Sequence, residues 1–318
     1  MSDPMLGVIF ALIASTSWAG GAVFARVGMK QVSSSIGTLI SLMAGFLVIS
    51  SIALIIDFEA VFKVPFSTLR WLALLGLIQF PVGRFLHYNG IRLAGVGPAS
   101  TMGGAVPLFA VIMAIIFLGE PLTVSIAVGT VAVVLGLALV MNRAHAQRLP
   151  RDPAGSRPSA NITESPPVKR LDRTLVLGIL SSLAGATAYA AGHNIARHVV
   201  TSAASAPVTA SYTLFFGMVI LAVISLPRLG TLLAVPRTAF FTMATAGVLS
   251  SLAIFFMYTA LSMAPVTLAS PLVALYPLIA MTLTHFFLQR LERITIGMVI
   301  GAVIVAVGVT FVIVGGAV

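Results

Sequence analysis

Arg84 is the only Lys or Arg residue that lies well inside a long apolar run of this sequence. It shares one helix face with His87 and Tyr88, because positions i, i+3 and i+4 are neighbours on a helix surface. A buried guanidinium offers a planar fork of N–H donors to a carboxylate or phosphate. An Arg near a helix end can instead extend to the nearest aqueous surface. Two interpretations therefore stay open for Arg84, an anion-binding group in a cavity and an interfacial anchor.

A second polar stripe combines Tyr189, His193 and Arg197 at i, i+4 and i+8, again on one helix face. Arg197 lies near the end of its apolar run and is predicted to be an anchor. His193 lies deeper and is predicted to face a cavity or a buried partner. Imidazole titrates close to neutral pH, so a proton carrier would be His193 first and His87 second. The predicted substrate-binding residues are Arg84, His87, Trp18, Tyr189, His193 and Tyr276.

Acidic side chains are missing from the middle of every apolar run. The eight acids are Asp3, Asp57, Glu59, Glu120, Asp152, Glu164, Asp172 and Glu292. Binding of lipophilic cations and hydrolysis by paired carboxylates both need acids at depth, so neither is expected. The sequence has no Cys, and no two His have a metal-ligand spacing with an acid nearby. We therefore predict no catalytic residue, no metal site and no cofactor.

The composition places most of the chain in lipid. Of its 318 residues, 59% are apolar and 8% charged, and the mean hydropathy is +1.10. Soluble domains are about 45–50% apolar and about 25% charged, so a soluble enzyme is excluded. The net charge of +10 lies in short stretches between apolar runs, where bases indicate topology. We expect a lipid bilayer as partner and no nucleic acid.

The apolar runs predict an all-α membrane protein with about ten transmembrane helices. Each run is long enough to cross about 30 Å of hydrocarbon. The predicted spans are 4–27, 35–56, 68–90, 98–118, 122–142, 174–195, 207–226, 238–261, 266–288 and 294–315. The first run has no preceding base, so we expect it to remain as a span rather than act as a cleaved signal.

A polar segment divides the spans into two similar halves, residues 4–142 and 174–316. The segment 143–173 is rich in Pro and poor in apolar residues, and is predicted to be a disordered linker. Matched pairs are Trp18 with Tyr189, Arg26 with Arg197, Pro107 with Pro277 and Glu120 with Glu292. Because each half has five spans, an odd number, the second half is predicted to enter the membrane inverted.

Two Pro residues and a set of glycines mark candidate distortions and close contacts. Pro107 and Pro277 lie in mid-span and predict kinks, either for gating or as static bends. The fifth and tenth spans carry Gly but no ionisable residue, which predicts close helix packing, with a homodimer face as the alternative. Glu120 and Glu292 are predicted to stabilise the N-termini of these same two helices, with a gating role as the alternative.

The distribution of Lys and Arg predicts the orientation. Fourteen of the eighteen lie in odd-numbered loops and three in even-numbered ones. Odd loops are therefore expected in the cytoplasm, since basic residues concentrate there. The chain is predicted to be a multi-pass protein of the cell inner membrane, with a cytoplasmic linker and both termini in the periplasm.

The fourth span carries a recognisable pattern. Pro98–Thr123 begins with small residues, contains Pro-Leu-Phe in the middle and ends in Phe-Leu-Gly-Glu-Pro-Leu-Thr. Leu268–Thr295 repeats it less faithfully, with Gln289 and Arg290 where Gly-Glu is usual. Both halves resemble the EamA domain of the drug/metabolite transporter superfamily. The resemblance implies two EamA repeats, with helices 1–4 and 6–9 around a central cavity and helices 5 and 10 outside it.

These features together predict a secondary transporter rather than an enzyme. No Gly-x-x-x-x-Gly-Lys-Ser/Thr motif is present, so coupling to protons or to exchange is expected. Bases and imidazoles without a mid-span acid favour a small zwitterionic or anionic metabolite such as an amino acid. The resemblance implies efflux. The alternatives are a carrier-lipid or sugar-phosphate translocator and, in a different class, a membrane-embedded enzyme or a scaffold without transport.

Overall fold

The computed structural model describes residues 4–29, 31–94, 102, 104–146, 173–227, 230, 232, 235–287 and 296–316. Within these residues the chain forms helices and no strand, which confirms the all-α prediction there. The helices are α1 (Pro4–Gly28), α2 (Ser34–Ile56), α3 (Phe58–Phe62), α4 (Phe66–Leu77), a π-helical turn (Ile78–Val82), α5 (Gly83–Ala94), α6 (Val106–Leu118), α7 (Val124–Ala146), α8 (Arg173–Ser202), α9 (Ala206–Ile224), α10 (Arg237–Met263), α11 (Val266–Val273), α12 (Tyr276–Phe287) and α13 (Ile296–Gly316).

Seven helical segments among the described residues are long and apolar enough to cross a membrane. They are Pro4–Ala25, Ser35–Ile56, Phe66–His87, Arg173–Ser202, Ala206–Ile224, Arg237–Met263 and Val299–Gly316. The other predicted spans correspond to shorter apolar helices, which are Val106–Leu118, Val124–Val140 and Val266–Ala280. The chain is therefore a multi-pass membrane protein, and the count of ten spans stays a prediction.

Helices α7 and α8 extend further than their apolar runs. The sixth predicted span ends at residue 195, whereas α8 continues to Ser202. The hydroxyls of Thr201 and Ser202 donate to the carbonyls of Arg197 and His198 one turn back, so polar residues complete the helix. At the ends of the predicted linker, α7 continues to Ala146 and α8 begins at Arg173. The remainder of the linker, 147–172, lies outside the described residues.

Two predicted spans are interrupted. The third consists of α4, the π-helical turn with Pro81 inside it, and α5. The ninth is broken at Ala274 and Leu275 into α11 and α12, so Pro277 is the second residue of a new helix. Pro107 likewise lies in the first turn of α6. Pro suits a first turn because its missing N–H would have no helical partner there. A gating role for either Pro stays a prediction.

The two halves interlock through equivalent contacts. Helix α1 packs on α10, and its counterpart α8 packs on α5. Helix α1 also packs on α11 and α12, and α8 packs on α6. In each case the partner helices are also counterparts of one another. Such an exchange of contacts is what a two-fold relation between two similar units produces.

Helices α7 and α13 approach each other through glycines from both halves. A Cβ added to Gly129 would lie 2.5 Å from the carbonyl oxygen of Gly308, and one added to Gly136 would lie 2.7 Å from that of Gly301. No side chain fits at such a separation, so these glycines allow contact between the two backbones. The glycine-bearing faces of α7 and α13 thus contact each other within one chain, and a homodimer stays a prediction.

We expect Gly129→Val to separate α7 from α13 and to lower the free energy of unfolding by about 1–3 kcal/mol, as overpacking does elsewhere. Thermal unfolding of the purified protein in detergent measures this. Val128→Leu is the matched control, because Val128 is the neighbouring residue and its side chain is exposed. Equal unfolding temperatures for the two variants would contradict the close contact.

Candidate functional site

His193 on α8 is buried and contacts the half-helix α11. Its Nδ1 lies 3.1 Å from the hydroxyl oxygen of Ser270, which is also buried. All eight residues of α11 are buried. His193 was expected to face a cavity or a buried partner, and Ser270 is such a partner. The contact joins two helices of the second half.

The far end of α11 is held by the first half of the chain. The buried hydroxyl of Ser15 on α1 donates to the carbonyl oxygen of Val273 at 3.2 Å. Trp18 follows Ser15 by three residues and packs against the main hydrophobic core. Tyr276 follows Val273 by three residues across the helix break and is 42% exposed. Trp18 and Tyr276 are thus each three residues along the chain from this contact.

Asn194 adds a polar group that the sequence did not single out as a site residue. Its side-chain amide donates to the carbonyl oxygens of Ala110 on α6 and Ala190 on α8. Its Oδ1 is buried and accepts no hydrogen bond from the described residues. The hydroxyl of Thr267, on α11, is also buried without a partner there. The one available signal was a polar amide beside His193 in an apolar run.

Helix α5 carries Arg84 and packs on α8, which carries Tyr189. The Nη1 of Arg84 donates to the hydroxyl of Thr38 on α2 at 2.6 Å. Gly83, next to Arg84, lies against the ring of Tyr189, since a Cβ there would be 3.0 Å from Tyr189 Cε1. The backbone of His87 is similarly close to Gly185 on α8. This interface therefore brings Arg84, His87 and Tyr189 into one region.

The predicted site residues are distributed along a path of three contacts. Gly83 and the backbone of His87, on either side of Arg84, meet α8 near Tyr189 and Gly185, and His193 follows Tyr189 by one turn of α8, at i+4. From His193 the path continues through Ser270 to α11 and then to α1 near Trp18 and Tyr276. Substrate binding by these six residues stays a prediction.

Glu120 has a partner that differs from the predicted one. Its carboxylate accepts the backbone N–H groups of Val266 at 2.8 Å and Thr267 at 2.9 Å, which begin α11. The fifth helix, α7, instead has the hydroxyl of Thr123 near its first turn, accepting from Ile126 N. Gly119 ends α6 with a left-handed φ of 65°, which turns the chain so that Glu120 leaves the axis of α6.

Arg197 completes the group around Glu120. Its Nε lies 3.7 Å from Glu120 Oε1, and its Nη1 donates to the carbonyl oxygen of Leu261 near the end of α10. Spacing identifies the helix face of Arg197 but not the element that packs against it, so these partners were not predicted, and an anchoring role stays a prediction. Glu292, the counterpart of Glu120, lies outside the described residues.

A metal centre has no support in the part of the chain that the structure describes. No three His or acidic side chains there lie close enough together to hold an ion. The absence of a metal site stays a sequence-based prediction.

The interlocked halves and the apolar helices define an internally duplicated, multi-pass helical membrane protein. Its two halves, residues 5–142 and 176–314, each match the EamA-like transporter family. The chain therefore belongs to this family, and the resemblance seen in the sequence is confirmed.

Two similar curated proteins are likewise described as transporters. Over 154 residues the chain is 29% identical to the uncharacterized transporter YvbV of Bacillus subtilis (strain 168), covering 45% of this chain and 47% of that protein. Over 136 residues it is 24% identical to an uncharacterized transporter of Clostridium kluyveri, covering 42% and 43%. The chain thus spans less than half the length of these curated relatives.

A crystal structure of another protein has the same fold. It superposes with a TM-score of 0.75 over 98% of this chain and 97% of its own, at 15% sequence identity. At this identity the similarity shows the fold alone.

Proposed function

We propose that this protein is a secondary transporter that exports a small zwitterionic or anionic metabolite, such as an amino acid, across the cell inner membrane. It would work by alternating access between two inverted five-helix repeats, each contributing to a central site. Membership of the EamA-like transporter family and the interlocking of the two halves support this proposal.

The proposal that the substrate is anionic or zwitterionic depends on the environment of Arg84. The side chain is partly buried and its hydrogen bond is to a neutral hydroxyl. Among the described residues no carboxylate forms an ion pair with it. An arginine inside a membrane protein normally pairs with an anion or with backbone carbonyls. A substrate carboxylate would supply that anion, and a phosphate would fit the same fork.

The interrupted helices give the proposed site its backbone groups. The break between α11 and α12 directly precedes Tyr276, and the π-helical turn ends two residues before Arg84. Non-helical backbone is tolerated in a membrane where it is enclosed by protein or lines a cavity. The aromatic side chains would hold the apolar part of the substrate while Arg84 holds its anionic group.

Arg84→Lys should reduce transport of an anionic substrate by about tenfold or more, because Lys keeps the charge but loses the bidentate fork. Arg84→Gln should reduce it further. Uptake into vesicles with reconstituted protein, tested on amino acids and sugar phosphates, measures both effects and distinguishes the two anion classes. Arg70→Gln is the control, because Arg70 is an exposed Arg on α4 that lies over the ring of Phe66.

Transport by Arg84→Gln at the rate of the unaltered protein would make Arg84 a structural or anchoring residue. Lack of transport of every compound in the panel by the unaltered protein would favour a membrane enzyme or a scaffold. Equal amounts of each variant in the membrane are required for both comparisons.

His193→Gln should abolish the dependence of transport on a pH gradient if protons drive it, because Gln stays polar but does not titrate. Counterflow with substrate on both sides should then continue. His87→Gln is the second variant, and His198→Gln is the control, since His198 is exposed on the same helix as His193. Full gradient dependence in both His193→Gln and His87→Gln would exclude these imidazoles as carriers and favour exchange.

The orientation follows from the loop charges, with the linker in the cytoplasm and both termini in the periplasm. A reporter enzyme that is active only outside the cytoplasm should therefore be active when fused at Val318 and inactive within residues 147–172. The reverse result would mean that the orientation is inverted.

A further inference from the structure

The group around Glu120 joins the two halves of the chain at a single carboxylate. Glu120 belongs to the first half, whereas Val266, Thr267 and Arg197 belong to the second. The contact therefore spans three elements: the turn after α6, the start of α11 and the last third of α8. We call these four residues the latch.

The charged side chains of the latch are largely but not fully buried. The side chain of Glu120 is 8% exposed and that of Arg197 is 23% exposed. Pro265, which precedes α11, has no side-chain group that could bond the first N–H groups of the helix. Glu120 supplies those bonds, so opening the latch would uncover the start of α11.

The latch and the proposed substrate site share the same two helices. Arg197 follows His193 by one turn of α8, and Ser270 follows Thr267 by three residues along α11. The His193–Ser270 contact is therefore about one helical turn beyond the latch. A displacement of the start of α11 away from α8 would separate both contacts in order, first at the latch and then at His193.

We propose that the latch is a gate: while it is closed it blocks access from one face of the membrane to the His193–Ser270 contact, and it positions α11 for binding. The role of the latch as a gate rests on the proposed transport function. Removing one member of a buried charge pair leaves the other unpaired, which favours opening. Glu120 and Arg197 act through α11 and are positioning residues rather than binding residues.

Thiol accessibility tests the gate directly, because the natural sequence has no Cys. Ser270→Cys places one thiol at the proposed site, and a membrane-impermeant maleimide is added to sealed right-side-out or inverted vesicles. We expect slow labelling from the latch face in this background. Adding Glu120→Gln or Arg197→Gln should raise that rate by about tenfold or more, on one type of vesicle only.

Two controls separate a gate from general loosening. Glu59→Gln alters an exposed ion pair with Lys63 and should leave labelling of the Ser270→Cys thiol unchanged. Ser182→Cys reports on a fully buried position in the N-terminal half of α8 and should stay protected in the latch variants. If Glu120→Gln does not reach the membrane, Arg197→Gln and the milder Arg197→Lys carry the test.

A rise restricted to the thiol of Ser270→Cys and to one membrane face supports the gate. Unchanged labelling in the latch variants, a rise on both faces, or a rise at the thiol of Ser182→Cys would overturn it in favour of a static tie between the halves. The labelling needs no substrate or gradient. Failure of the gate is therefore distinguishable from failure of the transport proposal, which the uptake assay decides.

Discussion

The arrangement around α11 depends on the carboxylate of Glu120. A helix that begins in buried surroundings leaves N–H groups at its N-terminus without partners, and neither lipid nor apolar side chains can bond them. At α11 the preceding residue is Pro265, whose side chain has no group that could accept these bonds. Glu120, from the other half of the molecule, accepts these N–H groups, and the turn at Gly119 brings its carboxylate to them. The Gly-Glu pair in the sequence pattern thus has a physical function in this fold.

The fold class was predictable because the solvent is lipid. Uniform apolar runs, few charges and matched Pro and Arg positions were sufficient for an all-helical protein with two similar halves. Helix ends were less predictable, since hydropathy reports where apolar residues stop and not where the backbone stops being helical. Helix α8 shows this: Arg197, Thr201 and Ser202 are polar, yet they complete the helix. The breaks were predictable only as Pro positions, because the chain turns before Pro107 and Pro277 rather than at them.

For the candidate site, the sequence predicted which residues share a face of one helix, but not which helices those faces contact. Spacing placed Arg84 and His87 on one face and Tyr189 and His193 on another, and these faces do meet other helices. It could not give Thr38 as the neighbour of Arg84 or Ser270 as the neighbour of His193, since those contacts join distant parts of the chain. Glu120 is the clearest case: the role of an acid at a helix N-terminus was inferred correctly, but the helix was the wrong one. Long-range pairing requires the packing itself.

The two kinds of contact between the halves differ in what they allow. Helices α7 and α13 meet backbone to backbone through Gly129 and Gly308, where no intervening side chain can rearrange, so this pair resists relative motion. The first half instead bonds α11 through the side chains of Ser15 and Glu120, and such side-chain hydrogen bonds can break and re-form. The proposed movement of the halves against each other would use both, the glycine contact to keep the halves assembled and the hydrogen bonds of α11 to open and close. In this sequence the glycine contacts and the polar side-chain contacts lie on different helices, and the polar contacts lie next to the proposed substrate site.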